Sequence, residues 1–177
     1  MASHDKGHTK RVTRTAVWIA QQERANIHVV RKAAELHDIA RDMPDHAIEG
    51  AIMAKDILKG YESEFVEQVA HCIESHSFTS GVEPQTLEAR VLSDADKLDA
   101  MGAIGVARAF LYSGESGRTI EDTLNHFENK LLHLIDEMKT ETGKKLAEER
   151  HNFLLKFYQT MREELNSGGN GMQPKML

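Results

Sequence analysis

The stretch Ala33-Ala34-Glu35-Leu36-His37-Asp38-Ile39-Ala40-Arg41 sets a histidine and an aspartate side by side among alanines, a leucine and an isoleucine. A segment with so little polar surface reads as a buried, alanine-rich helix. Burying a carboxylate beside an imidazole is costly unless something compensates both groups. A divalent metal ion can do so, taking a neutral ring nitrogen and a carboxylate oxygen together. A second such pair, His4-Asp5, stands among Ser3, Lys6 and Gly7 without apolar periodicity and reads as solvated chain.

The segment sits in a chain of 177 residues, 40% of them apolar, enough for one domain with a real core. The net charge of −6, with both signs spread along the chain, argues against a general nucleic-acid or anionic-membrane binder. A single cysteine, Cys72, excludes an intramolecular disulfide and a cysteine-rich zinc site. No apolar run approaches the roughly 20 residues of a membrane span. The first residues lack the apolar core of a signal peptide. The expectation is a cytoplasmic protein.

Apolar spacing is helical nearly throughout and predicts an all-α fold. Val12, Thr15, Ala16, Ile19 and Ala20 share one face of a first helix over His8 to Glu23. A second helix spans residues 26–41 and carries the histidine–aspartate pair. Asp42-Met43-Pro44-Asp45 ends it, with Asp45 as N-cap of a third helix from His46 to Lys59, stopped by Gly60. Further helices are predicted over Ser63–Ser77, Leu87–Leu98 and Ala100–Phe110. Two long amphipathic helices follow, over Ile120–Thr140 and Lys144–Leu165. Residues 1–166 form the predicted domain, and 167–177 have the composition of a disordered tail.

Candidate metal ligands come from three separate helices: His8, His37 with Asp38, and Asp96. Adjacent helical residues project about 100° apart, so His37 and Asp38 share one ion only at a helix shoulder, with other helices closing the shell. Asp94 and Asp96 cannot share a helix face. The neighbours Ala95 and Leu98-Asp99-Ala100 favour Asp96, with Asp94 as its rival. Imidazole and carboxylate donors without thiolate suit manganese, iron, cobalt, nickel or zinc.

In order, His8-Thr9-Lys10-Arg11-Val12, Leu36-His37-Asp38-Ile39 and Ala95-Asp96-Lys97-Leu98-Asp99-Ala100 resemble the H…HD…D pattern of HD-domain metal-dependent phosphohydrolases. His46-Ala47-Ile48-Glu49-Gly50-Ala51 and Ile73-Glu74-Ser75-His76-Ser77 resemble the additional histidine motifs of several branches. His126-Phe127-Glu128-Asn129-Lys130-Leu131-Leu132 and Thr140-Glu141-Thr142-Gly143-Lys144 resemble a small stand-alone branch of predicted hydrolases. What the resemblance implies is an HD-type helical bundle hydrolysing a phosphate ester or anhydride, on a nucleotide or related small phosphate compound. It implies His8, His37, Asp38 and Asp96 as ligands of one or two divalent ions (magnesium included), with Asp38 also orienting or deprotonating the water. His46, His76 and Lys97 would meet a second ion or the substrate phosphate. Two rivals share the pattern: a di-iron oxygenase, and a non-catalytic nucleotide-binding module. No stable nucleic-acid partner is expected, and a homo-oligomer stays open. His28, His71, His126, His133 and His151 suggest no role.

Overall fold

A computed structural model describes residues 6–77 and 80–167. His4-Asp5 and, apart from Ser167, the predicted tail lie outside the described residues. Among those described the fold is all-α: helices α1 (Lys6–Glu23), α2 (Ile27–Leu36), α3 (His46–Ile57), α4 (Ser63–Glu74), α5 (Leu87–Asp99), α6 (Gly102–Glu115), α7 (Ile120–Asn129) and α8 (Glu141–Ser167), with a 3-10 helix over Leu131–Glu137 between α7 and α8.

The first five helices build the core. Val12, Ala16, Ile19 and Ala20 of α1 are completely buried, the i, i+4, i+7 stripe that the spacing predicts. They pack with Val29, Val30 and Ala33 of α2, Val69 and Ile73 of α4, and Leu92, Ala95 and Leu98 of α5. Burying one such leucine, isoleucine or valine side chain contributes about 1.5–3 kcal/mol. The small side chains let the helices approach closely. At Gly50 of α3 a Cβ would stand 3.3 Å from Ile73 Cγ2 and 3.5 Å from the His37 carbonyl oxygen. Glycine there lets α3 lie directly against the histidine–aspartate turn.

Three local features depart from the expected helices, and each bears on the site. First, α2 stops at Leu36. The chain continues in i→i+3 turns: Ile39 N–H donates to Leu36, Arg41 N–H to Asp38 and Met43 N–H to Ala40. The pair therefore sits just past a helix end, the shoulder position that sharing an ion requires. Second, Asp45 precedes α3 as expected, but in the left-handed region (φ 52°, ψ 38°) and without a side-chain cap bond. Third, the predicted helix over 120–140 breaks at Lys130 (φ −139°, ψ −60°) into α7 and the 3-10 helix. A capping box of Thr119 and Asp122 fixes the start of α7.

The last elements close over one end of the core. Phe110 of α6, Phe127 of α7 and Phe157 of α8 meet at ring-centroid distances of 5.9–6.0 Å. Asp94 ties α8 down: its carboxylate accepts the Lys139 and Thr140 N–H groups at 2.8 Å and the Thr140 hydroxyl at 2.7 Å. No described helix is long and apolar enough to cross a membrane.

Candidate metal centre

Four side chains predicted from the sequence meet at one point. His8, in the first turn of α1, puts Nε2 3.3 Å from Asp38 Oδ2, 3.4 Å from Asp96 Oδ1 and 3.3 Å from His37 Nε2. His37 Nε2 lies 3.6 Å from Asp38 Oδ2 and 3.9 Å from Asp96 Oδ1. These separations suit donors that each touch one central ion at roughly 2.0–2.2 Å. Two imidazole nitrogens and two carboxylate oxygens are also a donor set that first-row divalent metals accept. The residues present fit a metal ion.

Contacts behind the cluster set its orientation. His37 Nδ1–H donates to the Ala34 carbonyl at 2.8 Å, and His76 Nδ1–H to the Ile73 carbonyl at 2.6 Å. Each ring thereby turns Nε2 away from the main chain, as ligating histidines do. His8 Nδ1 donates to Asp99 Oδ2 at 2.8 Å. Asp99 in turn accepts Arg11 Nε at 2.7 Å, Arg11 Nη2 at 3.0 Å and Arg108 Nη1 at 2.7 Å. This buried carboxylate joins α1, α5 and α6 behind the first histidine. Sequence reasoning passed over it, although His8 with Arg11 and Asp96 with Asp99 are both spaced i, i+3.

The charges are strongly coupled. Burial works against charge on His8, but hydrogen bonds to Asp38, Asp96 and Asp99 outweigh it and raise His8 from 6.5 to about 10. Burial likewise opposes ionisation of Asp38 and Asp96, yet His8 and His37 hold both well below the usual carboxylate range. Asp99 is held at about 2 by His8, Arg11 and Arg108, again against its burial. Ligation of a metal through His8 Nε2 would require loss of the His8 proton.

The other predicted residues divide. Asp94 points away to the N-terminus of α8, while Asp96 faces the cluster. His46 and His76 flank it: with Asp38 they place three donor atoms within 4.8 Å of one another. Burial lowers the pKa of His46 and pushes His76 down to about 4, so both are neutral imidazoles at pH 7. In that form neither offsets charge on a phosphate. Lys97 Nζ donates to Ser93 Oγ at 2.6 Å and lies 4.0 Å from Glu137 Oε2.

The cluster opens into a cavity of about 810 Å³ between the core and the closing elements. Arg41, Lys97, Arg108, Arg118 and Lys130 line it, against the carboxylates of Asp96 and Glu137. A chain of net charge −6 thus has a cationic cavity. His126 and His133 line it too. Their spacing with Lys130, at i, i+4 and i+7, was the available signal.

The class of protein follows from comparison with known families. The family model described as HD domain matches residues 6–101, and the chain belongs to that family. Among relatives, YpgQ of Bacillus subtilis is 35% identical over 175 residues, covering 93% of this chain and 85% of that protein. A crystal structure of YpgQ in complex with ADP superposes with TM-score 0.78 at 36% identity, over 92% of this chain and 90% of that one. An HD-superfamily hydrolase from Bacillus thuringiensis superposes with TM-score 0.73 at 33% identity, over 92% and 87% of the two chains.

Proposed function

We propose that this chain is a metal-dependent phosphohydrolase acting on a nucleotide or a related small phosphate ester or anhydride. The observation that carries the proposal is the meeting of His8, His37, Asp38 and Asp96 beside a cation-lined cavity that His8 and Asp96 help to line. The ADP complex of the YpgQ relative supports a nucleotide-type ligand.

Those four residues would hold a divalent ion, which when bound would supply a water of lowered pKa and polarise a phosphoryl oxygen. The protein does the rest. Asp99 and the Ala34 carbonyl keep His8 and His37 aimed into the cluster. Asp38 stays ionised and accepts a hydrogen bond from the attacking water. Lys97, Arg41 and Arg108 face the cavity and offset negative charge on the phosphoryl oxygens. Neutral His46 and His76 contribute hydrogen bonds and not charge.

The test is a manganese-supplemented panel of nucleoside mono-, di- and triphosphates and a generic phosphodiester, run with wild type and Asp38→Ala. Release of phosphate or pyrophosphate by wild type alone is the expected result. Binding of nucleotide without turnover would mark a non-catalytic module. Iron-dependent oxygen consumption with no phosphate release would mark an oxygenase.

A further inference from the structure

Arg41 has no part in the four-donor cluster, yet the turn that presents the histidine–aspartate pair also presents its side chain. Its N–H closes an i→i+3 turn on the Asp38 carbonyl at 3.1 Å. Its guanidinium Nη1 then lies 3.6 Å from Asp38 Oδ1 and 3.2 Å from His46 Nε2. Asp38 and His46 are two of the three residues, with His76, that could hold a second ion. A cation already stands among them.

Charge balance points the same way. Asp38 and Asp96 bring two negative charges to the first cluster, enough for one divalent ion. The second group adds no carboxylate of its own: Asp38 is shared, and the other two members are the histidines His46 and His76. A second divalent ion would sit within a few ångströms of Arg41, in a cavity also lined by Lys97 and Arg108. Like charges at that range repel. A guanidinium, in contrast, presents planar paired N–H donors that match phosphate oxygens.

Resting on the metal-centre proposal above, we infer that Arg41 is the built-in occupant of the second cation position. The site takes one divalent ion, and Arg41 is the second positive partner for the substrate's phosphate. The consequence is a one-ion hydrolase, in which Asp38 is not a bridge between two metals.

The test is manganese stoichiometry, by calorimetry and by metal analysis after gel filtration, on wild type, Arg41→Ala and Arg41→Lys. Arg41 is 38% exposed, so both variants should fold, and circular dichroism checks this. One equivalent is expected for wild type and Arg41→Lys. Arg41→Ala should take a second, weaker equivalent and show the electron-spin-resonance signal of a coupled manganese pair. Two equivalents in wild type, or a single uncoupled ion in folded Arg41→Ala, overturns the inference. Absence of manganese from every form removes the metal centre itself, and this inference with it.

Discussion

Replacing Asp99 by Asn should weaken metal binding without touching a ligand. The carboxylate is buried, accepts the His8 Nδ1–H at 2.8 Å, and is gripped by Arg11 and Arg108 at 2.7 Å each. An amide at this position loses the charge and offers one acceptor atom where the carboxylate offers two. His8 can then rotate or change tautomer, and Nε2 is no longer held on the cluster. Loss of such an outer partner typically costs 10–100-fold in metal affinity, or about 1.4–2.7 kcal/mol. Arg11 and Arg108 also lose their shared buried anion, so a further about 3–5 kcal/mol of folding stability is at stake. Calorimetric titration of manganese at pH 7.5 reads the first effect, and thermal unfolding of the metal-free protein reads the second. Asp99→Glu, which restores the charge, should recover part of the affinity. Wild-type manganese affinity in a folded Asp99→Asn protein would refute the positioning role.

In the metal-free protein His8 is raised to about 10 from an ordinary 6.5. Its contribution to stability is therefore complete below pH 6.5 and lost as pH climbs through 10, at up to about 1.4 kcal/mol per pH unit. Melting temperatures measured without metal should fall over that window, and His8→Asn should flatten the slope; a wild-type profile as flat as the variant's would count against it. Burial pushes the Cys72 thiol up to about 12, so a thiol reagent at pH 8 should label the protein only after denaturation. Rapid labelling of the native chain would contradict that placement. At Gly143 an added Cβ would overlap the Asp94 carboxylate that anchors α8. Gly143→Ala should cost about 1–3 kcal/mol and lower the melting temperature by roughly 2–4 °C for each kcal/mol, and an unchanged melt would show that α8 is not so tightly tied.

Much of the fold was legible because the apolar period is long-range in α1, α4, α5 and α8 and glycine or proline punctuates it. The end of α2 was not, since Ile39 and Ala40 continue the helical period while the backbone has already turned to i→i+3 bonds. The break at Lys130 was hidden in the same way: Leu131 and Leu134 are buried as the helical spacing predicts, but on a 3-10 path, and Met138 is buried just past its end. His37 and Asp38 could be singled out because a charged pair in an alanine-rich segment is locally anomalous. Asp99 could not, because a carboxylate three residues after Asp96 looks like any solvated acid. Its burial depends on Arg11, 88 positions away in sequence, and on Arg108 from another helix. Local neighbours favoured Asp96 over Asp94, and the fold adds what the sequence did not show, the distant Thr140 N–H that draws Asp94 to α8.

The most direct measurement is an anomalous-difference map, recorded at the manganese edge from crystals of this protein grown with manganese. A single peak is expected, at roughly 2.0–2.3 Å from His8 Nε2, His37 Nε2, Asp38 Oδ2 and Asp96 Oδ1. A peak elsewhere, or none at these four atoms with the metal in excess, would contradict the metal centre on which the proposed hydrolysis depends.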